Sequence, residues 1–343
     1  MIKYLGSKRR MMPALLDVFD RCEGARSALD LFSGTSRVGH ALKARGWRVH
    51  ANDHNAYAHV LAACYVGADA AIWREPATRL IAELEALPGR AGWFTETHCE
   101  RSRYLHPENG ARVDAIRDRI AALSLAPTLE AIALTSLIEA ADRVDSTVGL
   151  QMAYLKAWAK RAQQPLRLRL PELLQGEGSA SCLDAGEAAG RYEADVAYLD
   201  PPYNQHSYLG NYHVWESLVR WDRPEVYGIA MKRVDCRERT SAFNRRGTIA
   251  AALHAVVSRV RAKWMVVSFS DEGHLTLDQL RAILGERGDV HERAVEYPRY
   301  IGHRLGIYNP RGERVGTPGP ASNREHVFMV RCEGAPAAVT GAA

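Results

Sequence analysis

The strongest chemical signal in the chain is the run Val196-Ala197-Tyr198-Leu199-Asp200-Pro201-Pro202-Tyr203. An apolar segment ends in an acid, and two prolines then force an extended, rigid turn that presents an aromatic ring. Proline fixes its own φ and pushes the residue before it out of helical space. Asp200 and Tyr203 are therefore expected at the lip of a strand. A carboxylate acceptor beside a flat stacking surface is suited to gripping an aromatic amine.

Such a turn needs a frame, and the N-terminal part of the chain supplies one. Ala28-Leu29-Asp30-Leu31-Phe32 reads as a short apolar strand, followed by Ser33-Gly34-Thr35-Ser36-Arg37-Val38-Gly39 and a helix from Val38 to Arg45. Strand, glycine turn and helix form the first unit of a nucleotide-binding α/β fold, because glycine admits a ligand to the backbone and the helix start offers free N–H groups. Arg48–Asp53 reads as a second strand ending in an acid about twenty residues after the turn, the position from which α/β folds hold ribose hydroxyls. A helix over Ala56–Val66 closes this unit. The pattern fits a dinucleotide or S-adenosylmethionine; the turn lacks Gly-x-Gly-x-x-Gly spacing, which counts against a dinucleotide.

Between Gly67 and Gly178 the character changes to helical patterns over Ala70–Leu87, Ala111–Leu123, Thr128–Ala141 and Gly149–Gln163, with no convincing strand among them. The expectation is a discontinuous catalytic domain, residues 1–66 and 179–332, carrying a helical insertion, residues 67–178. Cations gather in two places: Lys156, Lys160, Arg161, Arg167 and Arg169 in the insertion, and Lys232, Arg233, Arg237, Arg239, Arg245 and Arg246 after the catalytic turn. For any single residue a solvated surface explains the charge equally well. As two sets flanking the turn they are candidate phosphate contacts.

The remaining elements are a strand or turn at Ser181–Asp184, an aromatic stretch (Tyr208, Tyr212, His213, Trp215) entering a helix over Val214–Arg220, and a buried strand over Trp264–Ser270. A helix over Leu277–Leu284 and a closing antiparallel pair, Val290–Tyr297 with His326–Val330, follow. A glycine/proline loop is expected over Gly302–Pro320, and a disordered tail over residues 333–343.

Composition is that of a soluble globular protein: 343 residues, 47% apolar and 25% charged, with a net charge of +5 compatible with a polyanionic partner. The 6 scattered cysteines include no Cys-x-x-Cys, so neither a disulfide framework nor a zinc cluster is expected and a reducing cytoplasm is the simpler setting. His98, Cys99 and His106 lack the spacing and fourth partner of a metal site. No signal peptide and no membrane span is expected.

Taken in order, these motifs resemble the Dam-like (alpha-type) DNA adenine-N6 methyltransferases from Lys3 to about Arg331. Lys3-Tyr4-Leu5-Gly6-Ser7-Lys8, by itself only a basic N-terminal segment, is similar to that family's S-adenosylmethionine-contacting motif. Leu31-Phe32-Ser33-Gly34 resembles its Phe-x-Gly-x-Gly loop, Asp53 its ribose acid, Cys182-Leu183-Asp184 its motif before the catalytic strand, and Asp200–Tyr203 its catalytic tetrad. Arg143–Thr147, Asn211-Tyr212-His213 and Ser268–Gly273 are similar to motifs of one subgroup. Ser36 replaces the usual second glycine of the loop, and Ser146 replaces a usual asparagine.

The resemblance implies a Rossmann-like mixed sheet of the S-adenosylmethionine-dependent methyltransferase class, with the helical insertion as target-recognition region. It also implies methyl transfer to the N6 amine of adenine in double-stranded DNA, with the base flipped out of the duplex. Asp200, Pro201, Pro202 and Tyr203 are then the catalytic candidates, and Tyr4, Lys8, Phe32, Gly34, Asp53, Asp184 and Asp200 the cofactor-binding ones. A cognate restriction endonuclease is a candidate partner. The alternatives are methylation of N4 of cytosine or another amine, or a non-catalytic regulator that binds S-adenosylmethionine and DNA.

Overall fold

The computed structural model describes residues 1–298, 307–308, 314–316 and 322–333, so most of the expected loop over Gly302–Pro320 and nearly all of the expected tail lie outside the described residues. The strands are β1 (Ser27–Asp30), β2 (Arg48–Asn52), β3 (Gly178–Ser181), β4 (Glu193–Leu199), β5 (Val226–Tyr227), β6 (Lys232–Arg233), β7 (Arg261–Ser270), β8 (Val290–Pro298), β9 (Ile307–Tyr308), β10 (Arg314–Gly316) and β11 (Ser322–Arg331). The helices are α1 (Met12–Asp20), α2 (Arg37–Ala44), α3 (Ala56–Ala62), α4 (Ala70–Glu85), α5 (Trp93–Thr95), α6 (Pro107–Ala122), α7 (Pro127–Arg143), α8 (Ala185–Arg191), α9 (Tyr208–Asn211), α10 (His213–Arg220), α11 (Ile249–Arg259) and α12 (Leu277–Gly285).

The main sheet has the order β3-β2-β1-β4-β7-β11-β8. β3, β2, β1, β4 and β7 are mutually parallel, and β11 enters antiparallel between β7 and β8. This is the Rossmann-like mixed sheet expected from the sequence, closed by the expected antiparallel pair. The apolar runs of its central strands follow from burial on both faces. Along β4, Val196 and Tyr198 face one cluster, with α1 and α2 residues such as Leu15, Phe19 and Leu42. Ala197 and Leu199 face the other, with Leu253 and Val257 of α11 and Leu280 of α12. The strand order reverses between β1 and β4, so a crevice opens beyond their carboxyl ends, where open α/β sheets take ligands.

The helices of residues 67–178 share one core with this frame. Leu80, Ile116, Leu134 and Ile138 share one cluster with Tyr57 and Leu61 of α3 and Trp215 and Leu218 of α10. The helices expected over Ala70–Leu87, Ala111–Leu123 and Thr128–Ala141 are present as α4, α6 and α7. The helix expected over Gly149–Gln163 is not: only a 3₁₀ turn, Lys160–Gln163, forms there. Tertiary hydrogen bonds claim the backbone instead. Gln151 N–H donates to Asn211 O at 2.8 Å, Gln151 O accepts from Tyr104 Oη at 2.7 Å, and Leu155 N–H donates to Ser146 O at 2.9 Å.

Candidate active site

Asp200 follows the last residue of β4, and strand β7 and the N-terminal segment converge on its Oδ1. The Lys8 ammonium lies 2.8 Å from it and Ser268 Oγ of β7 donates at 3.0 Å, while Tyr198 Oη sits 2.8 Å from Ser268 Oγ. Lys8 in turn pairs with Glu325 of β11. Among the described residues no protein donor meets Oδ2. The carboxylate is thus anchored by one oxygen, and the residue lines the cavity. Burial pushes the Asp200 carboxyl up to about 6; Lys8 opposes that shift and Glu325 adds to it. Burial also disfavours the Lys8 ammonium, but Asp200 and Glu325 outweigh it and hold Lys8 well above its ordinary range. Asp30, at the end of β1, is pushed up to about 8 by burial and then by Asp200.

The cavity, about 470 Å³, lies beyond the carboxyl ends of the parallel strands. That volume is within the usual range for small-molecule and cofactor sites. Tyr4, Lys8, Phe32, Gly34, Asp53, Asp184 and Asp200 all line it, so every cofactor-binding candidate is brought to one chamber. Asp53 Oδ2 accepts from Gly34 N–H at 2.9 Å and Oδ1 from Asn55 N–H at 2.9 Å, tying the acid after β2 to the glycine turn after β1. Glycine is favoured at position 34 on two counts. Its φ is +51°, and a Cβ there would stand 3.1 Å from Tyr4 Cε1. Asp184 caps α8 by accepting from Gly186 N–H at 2.8 Å. Tyr4 stacks on Tyr212 at 4.6 Å and Tyr208 at 5.3 Å between ring centroids.

Of the tetrad, Asp200 and Pro202 line the cavity; Pro201 is buried, and Tyr203 leans against Phe269 at 5.5 Å. The subgroup motifs turn out to hold this turn in place. Ser268 supports Asp200, Phe269 backs Tyr203, and His274 N–H donates to Tyr203 O at 2.7 Å. Tyr212 Oη accepts from Leu5 N–H at 2.6 Å, fixing the N-terminal segment. Asp145 pairs with both Lys3 and Arg161, at 2.7 and 2.8 Å, and Ser146 Oγ accepts from Ala159 N–H at 3.1 Å. The serine therefore still acts as a side-chain acceptor. Reading the sequence missed Glu325, the cavity wall formed by the 240–244 segment, and helix α11 behind it.

The basic candidates divide. Lys156, Lys160, Arg169 and Arg246 are exposed, and Arg237 is exposed over the Tyr227 ring, 3.8 Å from its centroid. Lys232 is half-buried beside α9, and Arg245 donates to Thr240 Oγ1 at 2.7 Å. Arg161 and Arg167 are exposed in part but paired, with Asp145 and with Glu85. Arg239 pairs with Glu216 at 3.0 Å and lines the cavity. Arg233 corrects the expectation. Its side chain is only 2% exposed and its guanidinium is held by Asp222 at 2.7 Å and Asp235 at 3.0 Å, so it braces the fold and faces no phosphate.

All 6 cysteines are free thiols, no metal-binding cluster occurs among the described residues, and no described helix is long and apolar enough to cross a membrane.

Sheet order, crevice and an anchored acid at the end of β4 define a Rossmann-like methyltransferase fold. The family model of the D12 class N6 adenine-specific DNA methyltransferases matches residues 4–282, and the chain belongs to that family. It is thus an N6 adenine-specific DNA methyltransferase. It is similar to the type II methyltransferase M.NlaIII of Neisseria lactamica, 29% identical over 313 residues, covering 87% of this chain and 92% of that one. It is also similar to the modification methylase StsI of Streptococcus sanguinis (28% identity over 87% of this chain) and the type II methyltransferase M.FokI of Planomicrobium okeanokoites (29% over 84%). It spans only about half the length of these two, 49% and 47%.

Proposed function

We propose that this chain transfers a methyl group from S-adenosylmethionine to the N6 amine of a flipped adenine in double-stranded DNA, as the modification arm of a restriction-modification system. The single observation that carries the chemistry is the asymmetric Asp200 carboxylate at the cavity wall, with Oδ1 held by Lys8 and Ser268 and Oδ2 met by no protein donor among the described residues. The residues present fit the methyl donor: a left-handed glycine turn where a Cβ would crowd Tyr4, tied to the acid after the second strand, is a cradle for an adenosine moiety. When bound, S-adenosylmethionine supplies an electrophilic methyl on a sulfonium.

Adenine's amine is a poor nucleophile because its lone pair is delocalised into the ring. Asp200 Oδ2 and the Pro201 carbonyl accept its two hydrogens, which favours a tetrahedral nitrogen with its lone pair turned toward the methyl. As the new N–C bond forms and the C–S pair returns to sulfur, positive charge grows on N6. Asp200 stabilises that charge and receives the proton that leaves. The rate gain comes from orientation and from acceptors already in place where charge develops. Tyr203 and Tyr208 form the aromatic side of the base site, a stacked contact being worth about 1–3 kcal/mol. The exposed cations Lys156, Lys160, Arg169, Arg237 and Arg246 meet phosphates, and the helical insertion reads the target.

Transfer of a tritiated methyl group to duplex DNA, followed by nucleoside digestion, tests this reading. Asp200→Ala is expected to abolish N6-methyladenine formation while S-adenosylmethionine binding persists or weakens. Undiminished turnover in that variant, or N4-methylcytosine as the product, refutes it.

A further inference from the structure

Glu325 lies on β11, beyond the residues matched by the family model, and in the sheet it pairs with Ser270 of β7. Its side chain is 2% exposed, and it meets the Lys8 ammonium, itself 6% exposed, which also holds Asp200 Oδ1 at 2.8 Å. Lysine is a flexible point charge with donors to spare, and one carboxylate alone does not fix where its ammonium sits. A second acceptor, mounted on a strand of the central sheet, does.

We propose that Glu325 is a positioning residue for methyl transfer: by holding Lys8 from behind, it locks the Asp200 carboxylate so that Oδ1 stays anchored and Oδ2 faces the amine. This rests on the role assigned to Asp200 above. Glu325 also carries a charge that competes with Asp200 for the one ammonium between them. Among the described residues, Asp30 at the end of β1, Tyr198 of β4, Tyr203 and Tyr208 also face Asp200. Burial keeps the three phenols neutral, and Asp30 is held protonated up to about 8 by burial and by Asp200. Through the range in which Asp200 ionises, Lys8 and Glu325 are the charges that act on it most strongly.

Two substitutions separate geometry from charge. Glu325→Gln keeps an acceptor for Lys8 and removes the charge. Its plateau kcat should stay within about 3-fold of the parent, orientation being preserved. The acid limb of its kcat–pH profile should lie at lower pH than the parent's, because a neighbouring negative charge is gone. Glu325→Leu removes the acceptor as well, and plateau kcat should fall about 10- to 100-fold with KM for DNA and for S-adenosylmethionine little changed. Lys8→Met should move the acid limb the opposite way, to higher pH. A purely structural Glu325 would cost stability in both variants and leave the acid limb where it was, and that result overturns the proposal. If Glu325→Leu does not fold, the Glu325→Gln acid limb alone decides. Should Asp200→Ala retain activity, the role of Asp200 itself fails; should it be inactive while both Glu325 variants match the parent in plateau and limb, only the role of Glu325 fails.

Discussion

Ser36 occupies the place of a glycine in the turn that borders the cofactor chamber, and the fold makes it behave like one. Its φ of 58° and ψ of 25° put it in the left-handed region immediately before α2. It is fully buried, and its Oγ has no protein partner among the described residues. The conformation is enforced from both sides: Ser36 N–H donates to Ser33 O at 2.6 Å, and Ser36 O accepts from His40 N–H at 2.9 Å, starting the helix. A side chain in that region costs roughly 1–2 kcal/mol. A buried hydroxyl without a partner adds roughly 1–3 kcal/mol. Glycine would remove both and return roughly 0.5–1 kcal/mol as extra chain entropy in the unfolded state.

Ser36→Gly should therefore stabilise the protein by about 1–4 kcal/mol, a rise in Tm of roughly 1–6 °C. Ser36→Ala is the informative control. It removes the hydroxyl but keeps the Cβ, so it should fall below Ser36→Gly by about 0.5–1 kcal/mol in urea unfolding. If Ala is as stabilising as Gly, the left-handed backbone is not the source of the cost, and the reasoning fails. S-adenosylmethionine affinity should not drop in the glycine variant, because the turn already has glycine-like geometry.

Arg233→Met should cost about 1–3 kcal/mol, because Asp222 and Asp235 are half-buried and keep Arg220 and Arg239 as partners, and leave the salt dependence of DNA binding unchanged. Arg246→Ala should instead leave stability alone and flatten the slope of log K against log salt by about 0.9, as the loss of one phosphate contact requires; measured slopes in the reverse order would restore Arg233 to the interface. Two buried histidines predict acid sensitivity. Burial pushes His98 well below its ordinary range, helped by His213, Arg233 and Arg101, and pushes His213 down to about 3, helped by Lys232 and Arg233 against the hydrogen bond to Gln151. Both are neutral when folded and take up protons when unfolded, so the stability they contribute is present above the usual histidine pKa of about 6.5 and is lost as pH falls below it. His98→Leu should make urea midpoints between roughly pH 6.5 and 4 less pH-dependent than in the parent; an unchanged slope would mean that His98 is not buried neutral.

How far the sequence could be read depends on which partner each residue needs. The strand ending at Asp200 was legible because its apolar run, its acid and its prolines are contiguous and local rules dictate the bend. The glycine turn and Asp53 were legible for the same reason, and the hydrogen bond between them closes a distance of only 19 positions. The support behind Asp200 was not, because Lys8 and Glu325 stand 317 positions apart and nothing local marks either as the other's partner. The same limit explains the failed helix over Gly149–Gln163. Its residues favour a helix, but Asn211, Tyr104 and His213 supply hydrogen bonds from outside the segment, and propensity loses to them. Charge is the least legible property of all. Arg233 and Arg246 look alike in sequence, yet one is walled in by two carboxylates and the other is exposed. A cluster of cations identifies a surface only after the fold has shown which of them already have their anions. Here that test keeps Lys156, Lys160, Arg169, Arg237 and Arg246 as the residues to probe for phosphate contact.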